Sequence, residues 1–304
     1  MKTIIDIRNL SKSFKDKHVL KNINLNFQKG KIYGLIGENG AGKTTLLKSI
    51  VGLVKPSSGD ILVNGEEINK NSSEYLRDFG VIIENPTFYD DLTVRENLEI
   101  YCRYMGYYNF GNIDNILKDF GILEYKDFKA KKLSQGLKQR LGIARAIITK
   151  PEVLILDEPI NSLDLSSIKY VRDILLNLNK ENGTTIIISS HILKEVEALV
   201  NQVIFMKEGN VIEEISLNEL KNKCAECFYV KVNTPQRALA LLERQFGIKN
   251  YRLIGEDTIK IKGLNIDSSR IIKDLMDKGV EVKEFKTEKI SLEGYYFDIV
   301  KRGE

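Results

Sequence analysis

Apolar residues recur along this chain in more than one rhythm, and the changes of rhythm mark its parts. In TIIDIRNLSKSF, from Thr3, and HVLKNINLNF, from His18, apolar and polar positions alternate, which predicts short half-exposed strands. KGKIYGLIG, ending at Gly37, is apolar on both faces and reads as a buried strand that runs into a glycine-rich loop. TTLLKSIVGL then carries leucine and isoleucine at helical spacing and stops at Gly52. GDILVNGEEI reads as a hairpin turning at Asn64 and Gly65. The expectation is an antiparallel edge feeding a parallel core.

From about residue 85 to 149 the spacing becomes helical, in TVRENLEIYCRYMG and NIDNILKDFG, which predicts an inserted helical subdomain. Buried strands return at EVLILDEP and TTIIISSH, with the helix SLDLSSIKYVRDILLNLNK between them, the order of a parallel sheet. Both strands end in polar residues, where such sheets place ligands. Past about residue 220 the pattern is strand, helix, strand, strand, helix, strand, the split βαβ order of a ferredoxin-like domain. A last amphipathic helix, SLEGYYFDIV, is expected to close the chain. The expected fold is therefore α/β over residues 1–220, followed by a small α+β accessory domain over 221–304.

Composition narrows the class without deciding it. The 304 residues exceed one ordinary domain, and with 29% charged and 42% hydrophobic residues the chain is globular. A formal net charge of +4 gives no argument for nucleic-acid or membrane-surface binding. No apolar run reaches the roughly 18 to 20 residues of a membrane helix, and MKTIIDIRNL lacks a signal-peptide core, so a cytosolic protein is expected. Cys102, Cys224 and Cys227 are too few for a disulfide framework. Cys224 and Cys227 form a CxxC with no second ligand pair nearby, so they read as incidental thiols rather than a zinc site.

Chemistry enters at GENGAGKT, which matches G-x-x-x-x-G-K-[ST] with a buried strand before it and a helix after it. Glycines let backbone N–H groups crowd phosphates, Lys43 reaches the β- and γ-phosphates, and Thr44 offers a hydroxyl to Mg²⁺. VLILDEP ends in two acids. Asp157 suits the metal and Glu158 the orientation of water, although acids at a strand end also serve as helix caps. His191, at the end of ISSH, can hydrogen-bond a γ-phosphate and help hold the attacking water; His18, among lysines near a turn, reads as solvated. A second anion-binding stretch follows far downstream. In KLSQGLKQRLGIARA a serine can cap a helix that has basic residues along it.

GENGAGKTT, LSQGLKQR, LILDEP, NSLD and SSH, in this order, resemble the nucleotide-binding subunits of ABC transporters over roughly residues 1–220. The resemblance implies a P-loop ATPase of the ABC type, with ATP on Gly37, Asn39, Gly40, Gly42, Lys43, Thr44 and Thr45 and an adenine ring against Phe14. It implies a head-to-tail homodimer, in which the signature Ser134, Gln135 and Gly136 of one chain closes over ATP held by the other and Asp164 crosses the interface. That accounts for two anion sites in one chain.

Two departures stand out. The usual LSGGQ is here LSQGL, and in GVIIENP the family's metal- and water-sensing glutamine is Glu84. A carboxylate at that position is still able to ligate Mg²⁺, and it adds charge beside Asp157 and Glu158. This substitution, the length and the extra C-terminal domain resemble the ATPases of bacitracin-resistance and lantibiotic self-protection exporters. The resemblance implies an ATP-hydrolysing subunit on the inner face of the cell membrane. It would bind separate transmembrane permease subunits through the groove around Glu84 to Asn97, with no direct nucleic-acid contact. The competing class, ABC ATPases acting on ribosomes or DNA, usually has two ATPase halves or a very long coiled-coil insertion, and neither is in this sequence.

Overall fold

A computed structural model describes residues 2–68, 74–161, 163–224, 226–248, 250–262, 268–289, 294–296 and 299. It divides into two compact units, Met1–Leu217 and Asn218–Glu304.

The first unit has two sheets. Strands β1 (Thr3–Phe14), β2 (Lys17–Gln28), β4 (Ser58–Val63) and β5 (Glu66–Glu67) form an antiparallel sheet in the order β2-β1-β4-β5. The alternation in β1 and β2 puts one set of side chains, including Ile5, Ile7, Leu25 and Phe27, into the core. Asn64 and Gly65 turn the β4–β5 hairpin with φ of 52° and 89°, the positive pair that a type I′ turn requires.

The second sheet is the frame of the unit. It runs β10-β9-β3-β8-β7-β6, from β3 (Ile32–Ile36), β6 (Phe79–Ile82), β7 (Val153–Asp157), β8 (Thr185–Ser190), β9 (Gln202–Lys207) and β10 (Asn210–Ser216). All pairings are parallel except β9 with β10. Every residue of β3, β7 and β8 is buried, which is why these strands read as unbroken apolar runs. Fully burying each Ile or Leu there contributes about 1.5–3 kcal/mol, so a charge at Ile155 or Ile187 would undo the sheet.

Helix α1 (Lys43–Ile50) follows β3, and α5 (Leu165–Asn182) crosses from β7 to β8. Between β6 and β7 lie α2 (Val94–Tyr104), α3 (Asn112–Asp119) and α4 (Gln135–Ile147). Thr93 and Glu96 close a reciprocal capping box on α2, satisfying two backbone donors that the first turn leaves over. Asp164 caps α5, and Gly183 ends it in the left-handed conformation, φ 68°. A short α6 (Leu193–Val196) follows β8.

Helix α7 (Leu217–Lys223) runs over the division between the units. The second unit then contains β11 (Glu226–Val232), α8 (Pro235–Phe246), β12 (Tyr251–Ile254), β13 (Thr258–Lys262), α9 (Ser268–Asp277) and β14 (Val282–Lys289). Its sheet has the order β12-β13-β11-β14 with all neighbours antiparallel, the arrangement a split βαβ chain makes when its last strand returns beside its first. Phe228, Val230 and Val232 pack there against Ala238 and Leu242 of α8 and Ile271 and Leu275 of α9. Cys224 is buried, whereas the side chain of Cys227 and most of SLEGYYFDIV lie outside the described residues.

Candidate nucleotide site

Parallel strands bring their C-terminal ends to one edge of a sheet, and here that edge gathers residues from four distant segments. Gly37 follows β3, Glu84 lies just past β6, Asp157 ends β7 with Glu158 next to it, and Ser189 and Ser190 end β8 with His191 next. The register pairs Asp157 with Ser189 and Ile36 with Ser190.

The loop from Gly37 to Gly42 turns into α1 through Gly42 at φ 105°, where a Cβ would also lie 2.9 Å from the carbonyl oxygen of Val19. Only glycine fits there. No side chain caps α1, so its first N–H groups are left for an anion. Lys43 is 4% exposed and its ammonium donates to the carbonyls of Gly37 at 2.7 Å and Glu38 at 3.2 Å. Burial pulls its pKa down, while Glu158, 3.6 Å away, and then Asp157 act the other way.

Thr44 donates its hydroxyl to one Asp157 carboxylate oxygen at 2.8 Å, and Ser189 donates to the other at 2.5 Å. The Ser189 hydroxyl in turn accepts from the backbone N–H of Glu158 at 2.9 Å. Asn161 donates to the Glu158 carboxylate, and His191 Nδ1 lies 3.3 Å from the same group. Both Glu158 and Glu84 have left-handed backbones, φ 46° and 60°. For a side chain without local compensation that conformation costs about 1–2 kcal/mol, a strain that often marks working residues.

A cleft of about 550 Å³ opens over this loop, lined by Asn39, Gly40, Gly42, Lys43, Thr44, Thr45 and Glu158, with Lys17, His18, Val19, Lys21 and Glu208 on its other sides. His18 is exposed, as the sequence suggested, but it belongs to this wall and hydrogen-bonds Ser13 at 2.8 Å. Phe14 stands next to that wall at the end of β1, 48% exposed, with the Lys12 ammonium 4.7 Å from its ring centroid.

Two groups of sequence-selected residues do not line the cleft. Glu84 forms an ion pair with Lys48 at 2.6 Å. Lys48 is one turn along α1 from Thr44, so this pair holds Glu84 on the helix face that carries Thr44. Ser134, Gln135 and Asp164 are exposed, Gly136 is half-buried, and none lines the cleft. Ser134 accepts the N–H of Leu137 at 3.3 Å to cap α4, and Gln135 donates to Asn85 at 3.2 Å. Asp164 accepts from the Ser167 N–H at 2.7 Å and from the Ser166 hydroxyl; with the backbone bond first, these hold its pKa down at about 2. Ser162, within NSLD, is outside the described residues.

A family model described as ABC transporter matches residues 20–161. The bacitracin transport ATP-binding protein BcrA of Bacillus licheniformis is 38% identical over 303 residues, spanning 100% of this chain and 99% of that protein. The chain belongs to the ABC transporter family. It is one of the family's ATP-binding subunits and an ATP hydrolase. The lantibiotic transport ATP-binding protein SrtF of Streptococcus pyogenes is 42% identical over 211 residues, 69% of this cassette chain and 90% of that one. Among solved structures, the dimeric post-hydrolysis ATP-binding cassette MJ0796 bound to ADP and Pi matches with a TM-score of 0.66 and 26% identity, over 70% of this chain and 99% of that one. These matches favour a transporter subunit over an ATPase acting on ribosomes or nucleic acid.

Sequence reading missed Ser189, Asn161 and Lys48, which contact Asp157, Glu158 and Glu84. Ser189 sat in the quoted ISSH, but its place in register with Asp157 is set by strand order in the fold. Asn161 sat in the quoted NSLD, whereas Lys48 carries no motif that would have singled it out.

Proposed function

We propose that this cassette powers a bacterial exporter of peptide antibiotics of the bacitracin or lantibiotic type. It works as a homodimer bound to separate transmembrane permease subunits at the inner face of the cell membrane. The substrate class is supported by full-length likeness to a bacitracin transport ATPase, and by Glu84 where the wider family has glutamine. Among the described residues no helix is long and apolar enough to cross a membrane, which fits a subunit that borrows its pore. Residues 1–220 act as the ATPase domain and 221–304 as an accessory domain.

ATP lies in the cleft, its phosphates on the loop N–H groups and Lys43, its adenine at Phe14. The donor set beside it suits Mg²⁺, since a hydroxyl and a carboxylate 2.8 Å apart are hard oxygen ligands of the kind that cation takes alongside phosphates. Thr44 and Asp157 would hold it, with Glu84 as a further carboxylate ligand, and the ion would supply charge neutralisation for the phosphates. Glu158 orients the attacking water, with Asn161 and His191 fixing its carboxylate, and His191 also faces the γ-phosphate.

The observation that carries the dimer is the division of the two anion sites. Ser134 caps the helix that Gln135 and Gly136 begin, and none of the three lines the cleft, so the free donors of that first turn suit a partner's γ-phosphate. Binding of ATP then closes the pair and product release reopens it. Glu158→Gln tests this: ATP binding is retained, hydrolysis falls about 100-fold or more, and sizing chromatography with ATP detects a trapped dimer. A variant that binds ATP normally yet stays monomeric at high protein concentration overturns the sandwich.

A further inference from the structure

The segment after β6, Glu84 to Phe88, is held by both helices whose N-termini the proposed function assigns to phosphate. On α1 it is fixed by Lys48, through Glu84. On α4 it is fixed three times, at positions that fall on one face of the helix. Gln135 donates to Asn85 at 3.2 Å. Pro86 presses on Gly142, where a Cβ would come within 2.7 Å of it. Arg145 donates to the carbonyl of Thr87 at 2.6 Å and lies 4.8 Å from the ring centroid of Phe88. The last two contacts bind the segment to the body of α4. The first is different, because Gln135 is the residue next to Ser134 and Asn85 is the residue next to Glu84.

We propose that Gln135 is a positioning residue, whose bond to Asn85 ties the placement of the Ser134 turn to the placement of Glu84 in the same chain. Two of the residues that depart from the family pattern, Glu84 and Gln135, are then halves of one device: α1 holds Glu84 through Lys48, the peptide unit passes to Asn85, and Asn85 holds the first residue of α4. The inference rests on the proposed trans action of the signature turn.

A double-mutant cycle in the full-length Glu158→Gln chain tests it, with two readouts: the Mg-ATP concentration at half-maximal dimer formation, and the affinity of dilute monomer for a fluorescent ATP analogue. Gln135→Ala and Asn85→Ala each remove one partner while keeping α4 helical. Each is expected to raise the half-point about 2- to 10-fold, the range for one hydrogen bond, with monomer affinity unmoved and the double variant no worse than either single. Asn85→Asp keeps an acceptor for the Gln135 amide and is expected to dimerise like its parent. Additive shifts, no shift, or an equal loss in monomer affinity overturn the coupling. If the Glu158→Gln parent fails to dimerise at all, trans action falls, and this inference falls with it for that separate reason.

Discussion

Helices α1 and α4 both begin with an N-terminus suited to an anion, and they are finished differently. The start of α1 has a left-handed glycine and no side-chain cap, and it is surrounded by Lys43, Thr44, Asp157 and Glu158 from its own sheet edge. The start of α4 is capped by Ser134, has no acid in its first turn, and is exposed. One is a complete socket built by the chain for itself. The other has donors and a dipole but no metal ligands or water-orienting acid. A helix terminus alone therefore does not identify whose ligand it serves; the residues that the sheet delivers beside it do.

The comparison breaks most plainly if the two sites are damaged in separate chains. Lys43→Ala and Ser134→Arg homodimers are each expected to lose hydrolysis by about 100-fold or more, the first by loss of phosphate charge neutralisation and the second by a side chain thrust into the partner's site. Mixed, they form heterodimers with one intact composite site, and activity returns in part. Loss of ATP binding by monomeric Ser134→Arg would place the turn in its own chain's site and erase the distinction between the helices.

A smaller effect is expected at Glu84. Glu84→Gln is nearly isosteric and keeps a carbonyl oxygen, so folding and ATP affinity are retained, while turnover falls about tenfold, less than the roughly 10²–10⁴ of a positioned acid–base group because an oxygen ligand remains. Its Mg²⁺ requirement changes, because an amide has no charge to offer a cation and none to pair with Lys48. In cells with the cognate permease, resistance to the exported peptide weakens. Titrations and resistance matching the unsubstituted protein would reduce Glu84 to a tolerated substitution.

The smallest effect concerns Asp164, which caps α5 while standing exposed. Its carboxyl is held at about 2, below the ordinary 3.8, chiefly by the Ser167 N–H. A lowered carboxylate pKa stabilises the fold above the ordinary value and loses that stabilisation as pH falls through the folded one. Asp164→Ala is thus expected to lower Tm slightly at neutral pH and to leave it unchanged below about pH 2, as thermal unfolding across that range would show. An equal deficit at all pH values would mean the cap acts without its charge.

The residues most legible in the sequence are those whose chemistry coincides with a strong local pattern. Gly37 to Thr45 follows an all-apolar strand and precedes a helix, and Asp157 and Glu158 end another apolar run, so period and motif agree. Strands β6, β9 and β10 were not read. The first is only four residues, Phe79–Ile82, embedded among polar segments, and Gln202–Ser216 alternates too irregularly beside the two glutamates of β10. Partners across the fold were hidden for another reason. Lys48 with Glu84, Ser189 with Asp157 and Gln135 with Asn85 are joined by strand order and helix packing, which periodicity along the chain does not encode.

The left-handed backbone at Glu158 bears on how such a cassette changes over generations. Asparagine or glycine would sit there with less strain, because both adopt positive φ more readily than glutamate does. Either would remove the carboxylate to which the proposed function assigns the attacking water, while leaving Lys43, Thr44 and the loop in place. Local stability and turnover thus pull this one codon in opposite directions. On the proposed function, a cassette that binds ATP without hydrolysing it lies a few nucleotide changes away, and the backbone favours the move.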